Sequence, residues 1–142
     1  MSVDIKQNAD SSLGMVGNAS TGGEGFVPVT INYVATTPDC TFFVADRAYV
    51  VKAIRGRVDV AGTGGACTAQ IRKTPTATAP ASGTVLHSGS YNLVGTANAN
   101  QALTLSTTAG DLLLAVGDAL SYDLTGTATS AVGSITVHLA PA

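Results

Sequence analysis

The sequence predicts an all-β chain, an antiparallel β-sandwich with an extended N-terminal arm. Three observations predict it. The stretch Tyr49–Val60, YVVKAIRGRVDV, alternates with the period of two that belongs to strands. Gly, Thr and Val are abundant and charged residues are only 11%, which suits short strands and tight turns and suits helices poorly. Turn signals recur every several residues, with no helical pattern between them.

Residues 1–25 are rich in Gly, Ser, Asn and Asp and have little periodicity, so they read as an arm preceding a β-domain at 26–142. The arm carries Val3, Ile5, Leu13, Met15 and Val16, the apolar residues it has for burial on a partner. From Phe26 onward strand signals are dense. Residues 27–36 alternate, with Val29, Ile31 and Tyr33 on one face and Thr30 and Asn32 on the other. Pro28 lacks an amide proton and belongs at a strand start or on an edge. Pro38-Asp39 marks a turn. Residues 41–45 form a short strand with Phe42 and Phe43 on opposite faces, and Asp46-Arg47 leads into Tyr49–Val60.

In that long strand Val50, Ile54, Val58 and Val60 are expected on the core side and Arg55, Arg57 and Asp59 outside. Lys52 interrupts the inner row, its stem running along apolar surface to water. Three of the chain's seven Lys and Arg lie here, which makes the stretch the best candidate surface for a partner. Gly62-Thr63-Gly64-Gly65 closes the strand and is expected to open a hairpin. Cys67, Ala69 and Ile71 then face inward, and Thr68, Gln70 and Arg72 outward. Residues 74–83, with two prolines, read as an irregular loop.

Short strands follow at 84–88 and 91–94, then at 101–106 with Leu103 and Leu105 inward. Residues 107–114 hold either one helical turn, capped by Thr108 or Asp111, or a strand end. Gly117-Asp118 turns the chain into a strand where Leu120, Tyr122 and Leu124 alternate with Ser121 and Asp123. A Thr- and Ser-rich hairpin loop spans 126–133. The last strand places Ile135, Val137 and Leu139 inward and Thr136 and His138 outward. About nine short strands of this kind make a sandwich or barrel, and eight in two sheets make a jelly roll. An immunoglobulin-like sandwich lacks support, because there is no Trp and the two Cys lie close in sequence.

The formal charge of −2 argues against a nucleic-acid partner, which usually requires a basic excess. Residues 1–25 contain no apolar signal core, and no apolar run is long enough for a membrane span. Cys40 and Cys67 are expected to be reduced, buried thiols. The sequon Asn18-Ala19-Ser20 carries weight only in a eukaryotic secreted chain.

Catalytic chemistry has little to draw on. His87 and His138 are far apart in sequence, without metal-ligand spacing, and are expected on solvated faces or strand ends. The single Glu, Glu24, lies in the arm, so a carboxylate pair for glycoside hydrolysis is not evident. No Gly-x-Ser-x-Gly elbow occurs. The Gly-rich 62–65 turn lacks the Lys-Ser/Thr ending of a phosphate loop. Asp111, Asp118 and Asp123 are spaced as turn and strand residues and not as a calcium loop. No cofactor and no metal is expected, and the reading is not an enzyme.

Three runs carry a resemblance to a known family: RAYVVKAIRGRVDVAGTGGACTAQIRK, SGTVLHSGSYNLVGTANANQALTLS and LLLAVGDALSYDLTGTATSAVGSITVHLAP. They span roughly residues 46–142 and include Ala-Gly-Thr-Gly-Gly at 61–65, Gly-Thr-Ala-Asn-Ala-Asn at 95–100 and Ala-Val-Gly-Asp-Ala at 115–119. This part of the chain resembles the jelly-roll decoration (cement) proteins of tailed-bacteriophage heads. The resemblance implies a homotrimer on the outer capsid surface, contacting neighbouring major capsid protein subunits; composition and hydropathy leave no nucleic acid and no membrane as partner. It supplies no catalytic motif. The candidate subunit or capsid contacts are therefore those read from the residues: Arg55, Arg57 and Asp59 on the outer row, and Val3, Ile5, Leu13 and Met15 in the arm. Their charged members are expected in cross-strand or inter-subunit ion pairs. The alternative is a receptor- or glycan-binding head domain of a fibre or spike, for which the four tyrosines would have to supply stacking surfaces.

Overall fold

A computed structural model describes residues 25–142, so the arm residues Val3, Ile5, Leu13 and Met15 lie outside the described part. Ten strands and two short 3-10 turns are present among the described residues. They are β1 (Val27–Val34), β2 (Cys40–Val44), β3 (Tyr49–Val60), β4 (Thr63–Thr74), β5 (Thr84–Val85), β6 (Tyr91–Asn92), β7 (Ala99–Leu103), β8 (Leu113–Leu114), β9 (Ala119–Thr129) and β10 (Val132–Pro141). The region expected to be either a helical turn or a strand end holds both: a 3-10 turn at Ala109–Leu112 leads directly into β8.

The strands form two antiparallel sheets. The first runs β1-β10-β3-β7, with β8 also on β3; the second runs β2-β9-β4-β5, with β6 also on β4. β7 and β8 pair with different lengths of β3 and act as one broken edge, as β5 and β6 do along β4. Counted by position along the chain, the orders become 1-8-3-6 and 2-7-4-5. This is the eight-position jelly roll, whose two sheets face each other across one core.

That order corrects two turn expectations. Residues 62–65 and 126–133 do not close hairpins. β3 and β4 belong to opposite sheets, as do β9 and β10, so the actual links, residues 61–62 and 130–131, cross the sandwich. They cross at the same end and touch there: a Cβ on Gly62 would meet Ala128, Ala131 and Val94. Short glycine-rich links look alike in sequence whether they reverse a strand or carry it to the facing sheet. Gly126 lies inside β9, with φ +89°, beside a register shift in the β4–β9 pairing; an added Cβ there would overlap the carbonyl of Ala66.

The inner row of β3 is also corrected, and Lys52 is the reason. Leu139 of β10 faces Val51 and His138 faces Ala53, so Lys52 is the extra residue of a β-bulge. The bulge reverses the alternation. Tyr49 and Val51 face the core before it, and Ile54 and Val58 after it, while Val50 is only half-buried and Val60 is exposed. The outward row Arg55, Arg57 and Asp59 is as expected. A second irregularity, between Thr41 and Phe43 in β2, corrects the expectation that Phe42 and Phe43 take opposite faces: both are half-buried and pack on the core.

Tyrosines fill space that the small side chains leave. Tyr33, Tyr91 and Tyr122 are buried between the sheets. The ring of Tyr91 occupies the position where a Cβ on Gly56 would sit, and Tyr33 does the same at Gly133. The two hydroxyls bond each other at 2.8 Å, so both polar tips are satisfied within the core. Tyr122 stacks on Tyr33 with centroids 6.3 Å apart. Burial holds all three phenols above the usual tyrosine range. Cys67 is buried and Cys40 half-buried; both are free thiols, and burial pushes both up.

Candidate functional site

The candidate residues Arg55, Arg57 and Asp59 lie on the outer face of the first sheet, where pairing builds rows across four strands. Thr30, Thr136, Arg55 and Ala102 make one row, and Asn32, Ser134, Arg57 and Asn100 the next. Residues of a row stand about 5 Å apart and residues two along a strand about 7 Å. Within the first row the Thr30 and Thr136 hydroxyls bond at 2.7 Å. Within the second, Arg57 donates through Nη1 to Asn100 Oδ1 at 3.1 Å. The expected ion pair takes a different form: Arg57 Nε lies 3.4 Å from Asp59 Oδ1, along one strand and not across strands. Both side chains stay about half exposed, at 48% and 53%.

Two shallow grooves mark this face. One, about 440 Å3, is lined by Arg55, Arg57, Asn100, Gln101, Thr136 and His138, among others. The other, about 500 Å3, is lined by Phe26, Pro28, Lys52, Ala53, Arg55 and Leu139, among others. Arg55 and His138 border both, so the grooves are continuous. The first is hydrogen-bonding in character, with guanidinium, amide, imidazole and hydroxyl groups. The second has an apolar floor under two cationic chains. Phe26, at 57% exposure, stands at its edge.

The outer face of the second sheet is different, and sequence reasoning missed it. Ser121 and Asp123, expected outside, are buried there, as is Thr74. The segment between β4 and β5, with a 3-10 turn at Pro80–Ser82, packs against β9 and covers them. Arg72 is gripped by three partners: Nε on Asp123 Oδ2 at 2.7 Å, Nη1 on the Gly83 carbonyl at 2.7 Å, and Nη2 on Gln70 Oε1 at 2.8 Å. The Thr74 and Ser121 hydroxyls bond at 2.7 Å. The only trace in the sequence was a basic and an acidic residue on two outward rows, whose adjacency depends on the β4–β9 register.

His87 is likewise corrected from solvated to buried. Its Nε2 accepts the Ile71 amide at 3.0 Å, and Nδ1 lies 3.3 Å from the Ser88 carbonyl. Burial, helped by the Arg72 charge, holds its pKa below the ordinary histidine value, against a smaller opposing effect of the Ser88 and Gly89 backbone. A neutral imidazole in that role completes strand pairing and is not free to act as a base. His138 is half-exposed on the outer face and lies far from His87 in the pairing scheme. Among the described residues no three His, Cys, Asp or Glu side chains gather as a metal site, and no helix is long and apolar enough to cross a membrane.

All four tyrosines are buried, so Phe26 is the one strongly exposed aromatic among the described residues. Three of the six other exposed large apolar residues form a pattern. Val34 of β1, Val132 of β10 and Val60 of β3 pair directly across three strands and are each exposed, at the end of the sheet away from Phe26.

No protein-family model matches the sequence, and no curated protein matches it. The fold is similar to that of a chain in the solved cyanophage Pam1 capsid asymmetric unit, with a TM-score of 0.51 and 17% identity over 94% of each chain. At that identity the likeness establishes a shared fold: this all-β sandwich is one that a phage capsid assembly contains.

Proposed function

We propose that this chain is a structural, non-enzymatic protein of a phage particle. It decorates the outside of the head, binds across major capsid protein subunits and acts as a homotrimer. The observation that carries this reading is the likeness, over 94% of both chains, to a chain of a phage capsid assembly. The resemblance of residues 46–142 to head decoration proteins points the same way.

Physical features support it. A cement protein contributes free energy by bridging subunits, which calls for a rigid body, an open contact face and reach. The sandwich supplies rigidity, with every sheet strand tied to the facing core. The outer face of the first sheet supplies the contact, through Arg55, Arg57 and Asp59. The arm, residues 1–25, supplies reach, with Val3, Ile5, Leu13 and Met15 as apolar anchors. Three linked copies would convert modest single contacts into tight attachment through effective concentration. The glycan-binding alternative is disfavoured by the burial of all four tyrosines, which leaves little stacking surface for a sugar.

The test is co-sedimentation with purified heads that lack the protein. The wild type is expected to bind them, and Arg55→Glu/Arg57→Glu to bind about tenfold more weakly, the loss of about 1.4 kcal/mol. Light scattering is expected to give a mass near three times 14.1 kDa. No binding to shells by the wild type would overturn the reading.

A further inference from the structure

The described body is electrically balanced, and its balance is uneven in space. Its six carboxylates are all engaged locally. Asp39 accepts the Leu124 amide, Asp46 the Tyr49 hydroxyl, Asp111 the Ser106 hydroxyl and Asp118 the Ala115 amide. Asp59 and Asp123 pair with Arg57 and Arg72. Of the six Lys and Arg in the body, Arg57 pairs with Asp59, Arg47 is exposed next to Asp46 in the chain, Arg72 is gripped as described, and Lys73 donates to the Gly110 and Leu113 carbonyls. Lys52 and Arg55 stand exposed over the apolar groove, with no acidic residue in its lining. The chain's formal charge of −2 therefore resides in residues 1–24, where Asp4, Asp10 and Glu24 outnumber Lys6.

That acidic segment ends at the groove. The chain enters the body at Gly25, whose φ of +79° turns it against Pro141, and Phe26 and Val27 are themselves groove residues. At about 3.3 Å per extended residue, the twelve residues back to Leu13 reach up to about 40 Å, enough to cross the three adjacent strands β1, β10 and β3 that line the groove. We propose that the groove formed by Phe26, Pro28, Lys52, Ala53, Arg55 and His138 is the docking site of the chain's own N-terminal segment, in the same protomer. Leu13, Met15 and Val16 cover the apolar floor, and Asp10 and Glu24 meet Lys52 and Arg55. The groove then matches its occupant in both hydrophobicity and charge. Such docking belongs to the free protein; on a shell the segment leaves the groove, which frees Leu13, Met15 and Arg55 for the capsid contacts proposed above, so its failure and the failure of capsid binding are separable.

Hydrogen–deuterium exchange on the full chain tests it. Amides in residues 10–24 are expected to exchange about tenfold more slowly than in a free peptide of the same sequence, the ratio that about 1.4 kcal/mol gives. Lys52→Glu/Arg55→Glu is expected to remove the protection without changing thermal unfolding, since both residues are exposed. Adding Asp10→Lys/Glu24→Lys to that variant is expected to restore it. Peptide-like exchange in the wild type, or protection indifferent to the charge reversals, would overturn the proposal. Protection that grows with protein concentration would also overturn it, since the groove would then hold a neighbour's segment.

Discussion

The two sheets each carry an Arg–Asp pair on the outer face, and the pairs differ in almost everything but chemistry. Arg57 and Asp59 lie 3.4 Å apart, about half exposed, with Asn100 as the one further partner. Arg72 and Asp123 lie 2.7 Å apart, at 19% and 10% exposure, under the segment that joins β4 to β5. Water screens the first pair, so it is worth about 0–1 kcal/mol. The second is shut away from water, and removing one partner strands a charge that the fold has already desolvated. One face is thus committed to holding the sandwich together, and the other is left open.

The largest contrast should come from deleting the two aspartates in parallel. Asp123→Ala is expected to cost about 3 kcal/mol in urea unfolding, and Asp59→Ala about 0.5 kcal/mol or less. Equal costs would abolish the distinction between the faces. Next in size, Gly56→Ala is expected to destabilise by about 2 kcal/mol, because the new methyl enters the space of the Tyr91 ring and the Ser134 carbonyl. Gly110→Ala, where nothing lies within reach of a Cβ, serves as its neutral control.

A smaller effect should appear with pH. The buried His87 has a folded-state pKa below its unfolded value, so its neutral form is favoured by folding. Its contribution is complete above the unfolded pKa of about 6.5 and declines as pH falls from there towards the folded value. His87→Gln should flatten that part of the stability profile. A wild-type profile flat between pH 7 and 5 would contradict this. Smallest of all, Arg57→Ala should change the unfolding midpoint by less than the resolution of the Asp123→Ala comparison, while weakening attachment to heads.

Much of the fold was legible residue by residue. Val29, Ile31 and Tyr33 face inward, as do Cys67, Ala69 and Ile71, and Ile135, Val137 and Leu139, because alternation is a property of extended backbone itself. Pro28 sits on β1, an edge strand, because a residue without an amide proton is best placed there. The candidate face was legible too, since Arg55, Arg57 and Asp59 share one parity. What escaped were features made by distant partners. Lys52 marked a break in the pattern, but only pairing with β10 turned that break into a bulge that put Val51 inside, and a second register shift at the far end of the same pairing leaves Val60 exposed.

By itself, then, the sequence determined the strands, their inward rows and an exposed basic row, since all three follow from local backbone geometry and side-chain chemistry. The tertiary structure alone decided that the links at 61–62 and 130–131 cross between sheets, that Arg72 finds Asp123, and that His87 is buried. The physical reason is the same in each case. Which strand lies beside which, and which outer face a loop covers, depends on groups tens of residues apart competing for one core, and a local pattern of alternation carries no record of that outcome.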